Sequence, residues 1–209
     1  MKLVFLGSPG VGKGSYATKI KEKFNLAHIS TGDLLREEVK KGSELGLKAK
    51  SYMDKGELVP DALILDLLKA RLSQQDCVKG FILDGFPRTI EQAESLVKIT
   101  DIDKVVFFYA PKEVIIERIS GRRTCSNCGA IYHVVNKPPK IEGVCDLCGG
   151  KLIQRSDEKP DVVEERLKIY EQTTKPLIEY YKQKNKLVEV QALGSIDEIV
   201  DNTIKILGL

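Results

Sequence analysis

Gly7-Ser8-Pro9-Gly10-Val11-Gly12-Lys13 is the stretch that decides the fold. It has the form G-x-x-x-x-G-K, and that form carries chemical meaning only between a strand and a helix. Both neighbours have the right character. Residues 2–6 ahead of it form an apolar run, as a strand buried on both faces would. Lys13 to about Phe24 behind it reads as a helix. Glycines let such a loop curl until several N–H groups point at one phosphate, and the helix N-terminus adds partial positive charge. Lys13 adds a full charge. The usual pattern puts Ser or Thr directly after this lysine to hold Mg²⁺; here that place is Gly14, with Ser15 one later. Either water holds the magnesium for the most part, or Ser15 contributes differently.

Working outward, a short apolar piece at Ala27–Ile29 leads into two or three helices between Thr31 and Gln74. Phe81-Ile82-Leu83 reads as a second buried strand, ending in Asp84. Thr89 with Gln92 three residues on has the spacing of a capping box. Lys104–Tyr109 reads as another strand, and Pro111 as the first position of the helix after it. Beyond Pro160 helical periodicity runs to about Lys184, followed by a strand at Leu187–Val190 and a helix at Ile196–Leu207 with Gly208 behind it. Strands alternating with helices imply an α/β fold: a doubly wound, mostly parallel sheet of about five strands with helices on both faces. Asp84 then lies at the carboxyl edge of the sheet, where open α/β folds bind ligands. There it serves as an acceptor for magnesium-bound water, or as a turn cap before Gly85.

Residues 121–158 have a different texture, with Gly, Pro-Pro and four of the five cysteines. Cys125-x-x-Cys128 and Cys145-x-x-Cys148 stand 16 residues apart, the spacing of a four-cysteine zinc ribbon. Four protein ligands close a tetrahedral site, so the ion would be structural Zn²⁺; iron fits the same ligands, and two disulfides or idle thiols are the alternatives. A flap of this size has little core of its own, and a metal would make it a rigid plate. Cys77 stands alone and reads as a small buried apolar residue.

Composition narrows the function. The chain has 209 residues and a net charge of +3, with no basic block suited to nucleic acid. No apolar run approaches the ~18–20 residues of a membrane span, and nothing resembles a signal peptide. The expectation is a cytoplasmic monomer without nucleic-acid or membrane partners. Of the two histidines, His28 reads as structural, and His133 carries no assigned role.

With these motifs in place, the chain resembles the adenylate kinase family over its full length. The family's loop is similar to Gly-x-Pro-Gly-x-Gly-Lys-Gly-Thr; here it runs Gly7 to Ser15, with Ser15 for Thr and Gly14 accounted for. Ser30-Thr31-Gly32-Asp33-Leu34-Leu35-Arg36 and Gly56-Glu57-Leu58-Val59-Pro60 resemble the two ends of an AMP-binding insert. Leu83-Asp84-Gly85-Phe86-Pro87-Arg88, with Gln92, resembles the strand end that grips AMP. Gly121-Arg122-Arg123 and Gln154-Arg155-x-Asp157 bracket a lid, and Arg166 follows it.

The resemblance implies a phosphotransferase that moves the γ-phosphoryl of Mg-ATP onto AMP, giving two ADP. It assigns Gly10, Val11, Gly12, Lys13, Gly14, Ser15, Arg118, Arg122, Ile131, Tyr132 and Gly194 to ATP. It assigns Thr31, Arg36, Glu57, Leu58, Val59, Gly85, Arg88 and Gln92 to AMP, with Arg155 and Arg166 shared between the two substrates. Lys13, Asp84, Arg88, Arg122, Arg155 and Arg166 would be the catalytic set. It further implies a core of residues 1–29, 60–120 and 159–209, an insert at 30–59 and a lid at 121–158. Glu158 stands where the family often has a second aspartate, and its role is left open. Two other readings remain at this point: a kinase for another nucleoside monophosphate, and a zinc-ribbon nucleic-acid-binding ATPase.

Overall fold

The computed structural model describes residues 1–209. Its centre is the segment β1 (Lys2–Leu6), where Leu3, Val4, Phe5 and Leu6 are all buried. Successive side chains of a strand point to opposite faces, and here they supply two different cores. Val4 and Leu6 join one apolar cluster, and Leu3 and Phe5 join the other. A strand that must be apolar on both faces belongs at the middle of a covered parallel sheet.

The sheet has five parallel strands in the order β2 (Ala27–Ser30), β3 (Phe81–Asp84), β1, β4 (Lys104–Tyr109) and β8 (Leu187–Gln191). On one face lie α1 (Lys13–Phe24) and α9 (Ile196–Leu207), which bury Tyr16, Ala17, Ile20, Ile199 and Val200 against it. The opposite face is covered by α2 (Thr31–Lys41), α3 (Glu44–Met53), α4 (Asp61–Leu72), α5 (Ile90–Ile99) and α8 (Leu177–Gln183). The doubly wound architecture is therefore present. Gly46 lets α3 close on α2, since a Cβ there would stand 2.2 Å from the Glu38 carbonyl oxygen.

After α6 (Lys112–Ser120) the chain leaves the main sheet. β5 (Arg122–Cys125), β6 (Ile131–His133) and β7 (Leu152–Ile153) form a separate antiparallel sheet in the order β6-β5-β7. The chain returns through α7 (Pro160–Ile169).

Three local expectations need correction. Thr89 caps α5 and accepts the Gln92 N–H, but Gln92 does not reach back to Thr89. Its amide is taken up by the Arg88 N–H and by Asp61, both at 2.7 Å, so only half of the capping box forms. Pro111 is the cap of α6 rather than its first residue. The helical stretch from Pro160 to Lys184 is not continuous. A π-turn spans Tyr170–Thr174, with Lys175 N–H reaching the Tyr170 carbonyl at 2.9 Å. Pro176 explains the break: it has no N–H to give, and its ring collides with the carbonyl four residues back in a regular helix.

Candidate active site

The phosphate-loop stretch leaves β1 and turns into α1 at Gly12, whose φ of +110° belongs to the left-handed region that glycine adopts without strain. Lys13 folds back over the loop, and Nζ donates to Gly7 O at 2.7 Å and Ser8 O at 3.0 Å. Burial first, then the nearby Arg88, Arg166 and Arg122, lower its pKa to about 8 against the pull of Asp84. From behind, Arg118 donates to the Val11 carbonyl at 2.9 Å and so braces the loop. A Cβ on Gly14 would lie 3.4 Å from Asp84 Oδ2 and 3.9 Å from Ile131 Cδ1. Gly14 thus marks the point where the sheet edge and the lid face each other.

The loop opens into a cleft of about 1460 Å³, lined by residues of the main sheet's edge, the helices after β2 and the separate small sheet. Lys13, Arg36, Arg88, Arg118, Arg122, Arg155 and Arg166 all reach it, as do Gly10, Gly12, Gly14, Ser15, Thr31, Glu57, Leu58, Val59, Asp84, Gly85, Ile131, Tyr132 and Gly194. Two of the anticipated residues do not line it. Val11 is buried behind the loop, and Gln92 is buried with its amide occupied as described above.

Like charges crowded this closely need internal partners. Arg36 pairs with Asp33 at 2.6 Å, Arg166 with Asp157 at 2.8 Å, and Arg122 with Glu158 at 2.5 Å. Glu158 is almost completely buried and also accepts the Arg155 backbone N–H at 3.1 Å. The Arg155 guanidinium donates to Thr124 Oγ1 at 3.0 Å, and Arg88 donates to Gly85 O at 2.8 Å. Burial, followed by repulsion from neighbouring arginines, brings Arg88 and Arg155 down to about 10. Both remain cations at neutral pH.

Asp84 Oδ2 lies 3.5 Å from His28 Nε2, close enough for charge attraction but long for a hydrogen bond. Burial alone would raise the Asp84 pKa. His28 and Lys13 outweigh burial and hold the carboxyl below its usual range, so it is ionised at neutral pH. His28 is thus a neighbour of the cleft's buried acid. His133 also lines the cleft, where it accepts the N–H groups of Val135 and Asn136 in its own turn.

A family model for adenylate kinase matches residues 5–186. The chain is 52% identical over 214 aligned residues to the adenylate kinase of Caldicellulosiruptor bescii, with both chains fully covered. It is 54% identical to that of Methanocella arvoryzae, covering 95% of this chain and 94% of the other. It is 49% identical to that of Clostridium tetani, over all of this chain and 99% of the other. The chain belongs to the adenylate kinase family.

The lid of this adenylate kinase family member carries a second polar cluster. The Cys125, Cys128, Cys145 and Cys148 sulfurs all lie within 4.8 Å of one another, and none is in a disulfide. Cys125 and Cys148 are 3.5 Å apart, and Cys128 and Cys145 3.6 Å. Tetrahedral zinc with bonds of about 2.3 Å would set its sulfurs about 3.8 Å apart, so the donor set fits a closed four-sulfur site. Each Cys-x-x-Cys turn is closed by a backbone bond, Gly129 N–H to Cys125 O and Gly149 N–H to Cys145 O. No helix is long and apolar enough to cross a membrane.

Sequence reasoning missed several features. Asp33 lines the cleft as the partner of Arg36, and the i,i+3 spacing of an acid and an arginine was the available signal. Ile169 reaches the cleft from the end of α7, and Tyr170 and Thr174 from the π-turn, for which the sequence offers no signal except Pro176. Cys77 is buried as anticipated, with Arg71 Nη1 3.0 Å from its sulfur.

Proposed function

We propose that the protein transfers the γ-phosphoryl group of Mg-ATP reversibly to AMP, forming two ADP by direct in-line displacement. The observation that carries this reading is the convergence of Lys13 and six arginines on one cleft, with the ionised carboxylate of Asp84 beside the phosphate loop. Two anions must meet end to end there. At ~4 Å two unit charges repel by about 4 kcal/mol at an effective dielectric near 20, so bare approach would fail. Arginine suits the task because its planar fork grips two phosphate oxygens in fixed geometry.

In this reading the phosphate loop and Lys13 take the ATP phosphates, and Arg118 and Gly194 support the ATP side. Thr31, Arg36, Glu57, Leu58, Val59, Gly85 and Arg88 form the AMP side, with Gln92 holding Arg88 in place. Arg122, Arg155 and Arg166 span the gap where the phosphoryl group passes. Magnesium bound with ATP neutralises charge on the phosphate oxygens. Asp84, ionised and beside the loop, would hold it through water. Direct transfer needs no covalent intermediate, so positioning and charge stabilisation account for the rate in this reading.

The lid, taken as residues 121–158, closes over the ATP side and excludes water, which would otherwise accept the phosphoryl group. The insert, residues 30–59, closes over AMP. Ser156 donates to Asp54 Oδ1 at 2.8 Å, joining the base of the lid to the end of the insert. Structural Zn²⁺ held by the four cysteines makes the lid rigid. The protein acts as a cytoplasmic monomer.

ADP formation from Mg-ATP, measured in parallel with AMP, GMP, CMP and UMP, tests the proposal. Rapid reversible turnover with AMP alone is expected. Turnover with another monophosphate would keep the chemistry and change the substrate, whereas ATP hydrolysis independent of acceptor would overturn the reading.

A pH dependence follows from Lys13. In the free protein its pKa is about 8, whereas bound phosphates favour its charged form. Above pH 8 ATP binding must therefore take up a proton, and ATP affinity is expected to fall by up to about tenfold per pH unit toward pH 10. Calorimetric titration with ATP at pH 7, 8 and 9 measures this, and an affinity independent of pH would remove Lys13 from the phosphate site.

A further inference from the structure

We propose that the Tyr132 hydroxyl is part of the lid's metal centre, donating its proton to the Cys145 sulfur and fastening the cleft-facing strand β6 to the metal. Tyr132 is 4% exposed and Cys145 2%. The Tyr132 oxygen accepts the Asp146 N–H at 2.8 Å and lies 3.5 Å from Cys145 Sγ. A phenol has one proton to give. With its oxygen already accepting from Asp146, the partner left within reach for that proton is the sulfur. The hydroxyl therefore grips the Cys145-x-x-Cys148 turn twice, once at a ligand atom and once at the following backbone N–H.

The other end of the residue faces function. Tyr132 lines the cleft, and Ile131 before it is the lid residue closest to Gly14 of the phosphate loop. Arg123 pairs with Tyr132 across the lid sheet, beside the cleft-lining Arg122. The lid chain thus runs from Ile131, which faces the phosphate loop, to Tyr132, whose hydroxyl reaches Cys145. Groups that hydrogen-bond to metal ligands fix ligand orientation, and their loss typically weakens metal binding by ~10–100-fold.

This inference rests on the metal reading above, and the two fail separately: purified wild-type protein without stoichiometric zinc ends the metal reading itself. Tyr132→Phe keeps the ring and removes the proton. Chelator competition on the zinc-loaded variant is expected to show ~10–100-fold weaker zinc binding. In the cobalt(II)-loaded variant the sulfur-to-cobalt charge-transfer band should move to longer wavelength, because the Cys145 thiolate is no longer drawn on by a donor. Should the variant not fold, wild-type chain grown with 3-fluorotyrosine serves. Its hydroxyls are stronger donors, and the band should move to shorter wavelength. A band that stays in place in whichever protein folds overturns the proposal, even if zinc binding weakens, since packing loss alone would weaken binding without changing the thiolate.

Discussion

Lys13→Ala is expected to lower kcat for phosphoryl transfer by ~10²–10³ or more, the loss seen when one preorganised charge-stabilising donor is removed from an enzyme site. The ammonium is the cation seated in the mouth of the phosphate loop, in surroundings desolvated enough to lower its pKa to about 8. Its present partners, the carbonyls of Gly7 and Ser8, are neutral acceptors that a phosphate would outcompete. Removing Lys13 also takes one donor from each of those carbonyls, leaving Ser8 O with the Val11 N–H, so loop stability must be measured beside rate. Steady-state kinetics with ATP and AMP, paired with thermal melting, separate the two effects. Arg88→Ala should show a loss of the same size, because Arg88 stands half-buried in the loop after β3 and its donation to Gly85 O leaves most of the guanidinium free for a ligand. A loss of tenfold or less in either variant would contradict the role assigned here.

Stripping the metal from the lid is expected to lower the melting temperature by about 10 °C or more, from a loss of several kcal/mol at about 2–4 °C per kcal/mol for a chain of this size. The lid's buried apolar cluster comprises Cys125, Tyr132, Cys145 and Leu152, and two of these four are the proposed ligands themselves. Val135, Ile141 and Leu147 lie mostly exposed around it. A core that small cannot hold a separate sheet, so metal binding free energy there is folding free energy. The core sheet has its own two apolar clusters and should keep its fold. Calorimetry of holo protein against chelator-treated protein, with residual transfer assayed at low temperature, measures both. An unchanged melting temperature would mean that the lid folds without metal.

The fold was legible because its determinants are local. Leu3-Val4-Phe5-Leu6 must be buried on both faces, and the glycine loop after it has one workable conformation between strand and helix. The bounds Lys13–Phe24, Lys104–Tyr109 and Ile196–Leu207 follow from periodicity and caps alone. What escaped depends on contacts between distant segments. Gln92 has the right spacing for a capping box, but Asp61, 31 residues away, claims its amide. The π-turn at Tyr170–Thr174 answers a proline whose effect periodicity does not register. In the cleft, arginines inside motifs could be named from sequence, whereas the pairing of each with its acid was not read there. Glu158 is the clearest case: it stands next to Asp157 in the chain, yet only Asp157 meets Arg166, while Glu158 turns inward to Arg122.

Those acids change how the cleft should be pictured. Asp33, Asp157 and Glu158 act as resident counter-ions for Arg36, Arg166 and Arg122. On the proposed reading, an arriving nucleotide exchanges one anion for another at these three positions, instead of meeting bare cations. Exchange of that kind displaces few mobile ions from solution, so the electrostatics of the site are insulated from the salt around it. Selectivity then lies in fit, because a phosphate must outbid a carboxylate already in place.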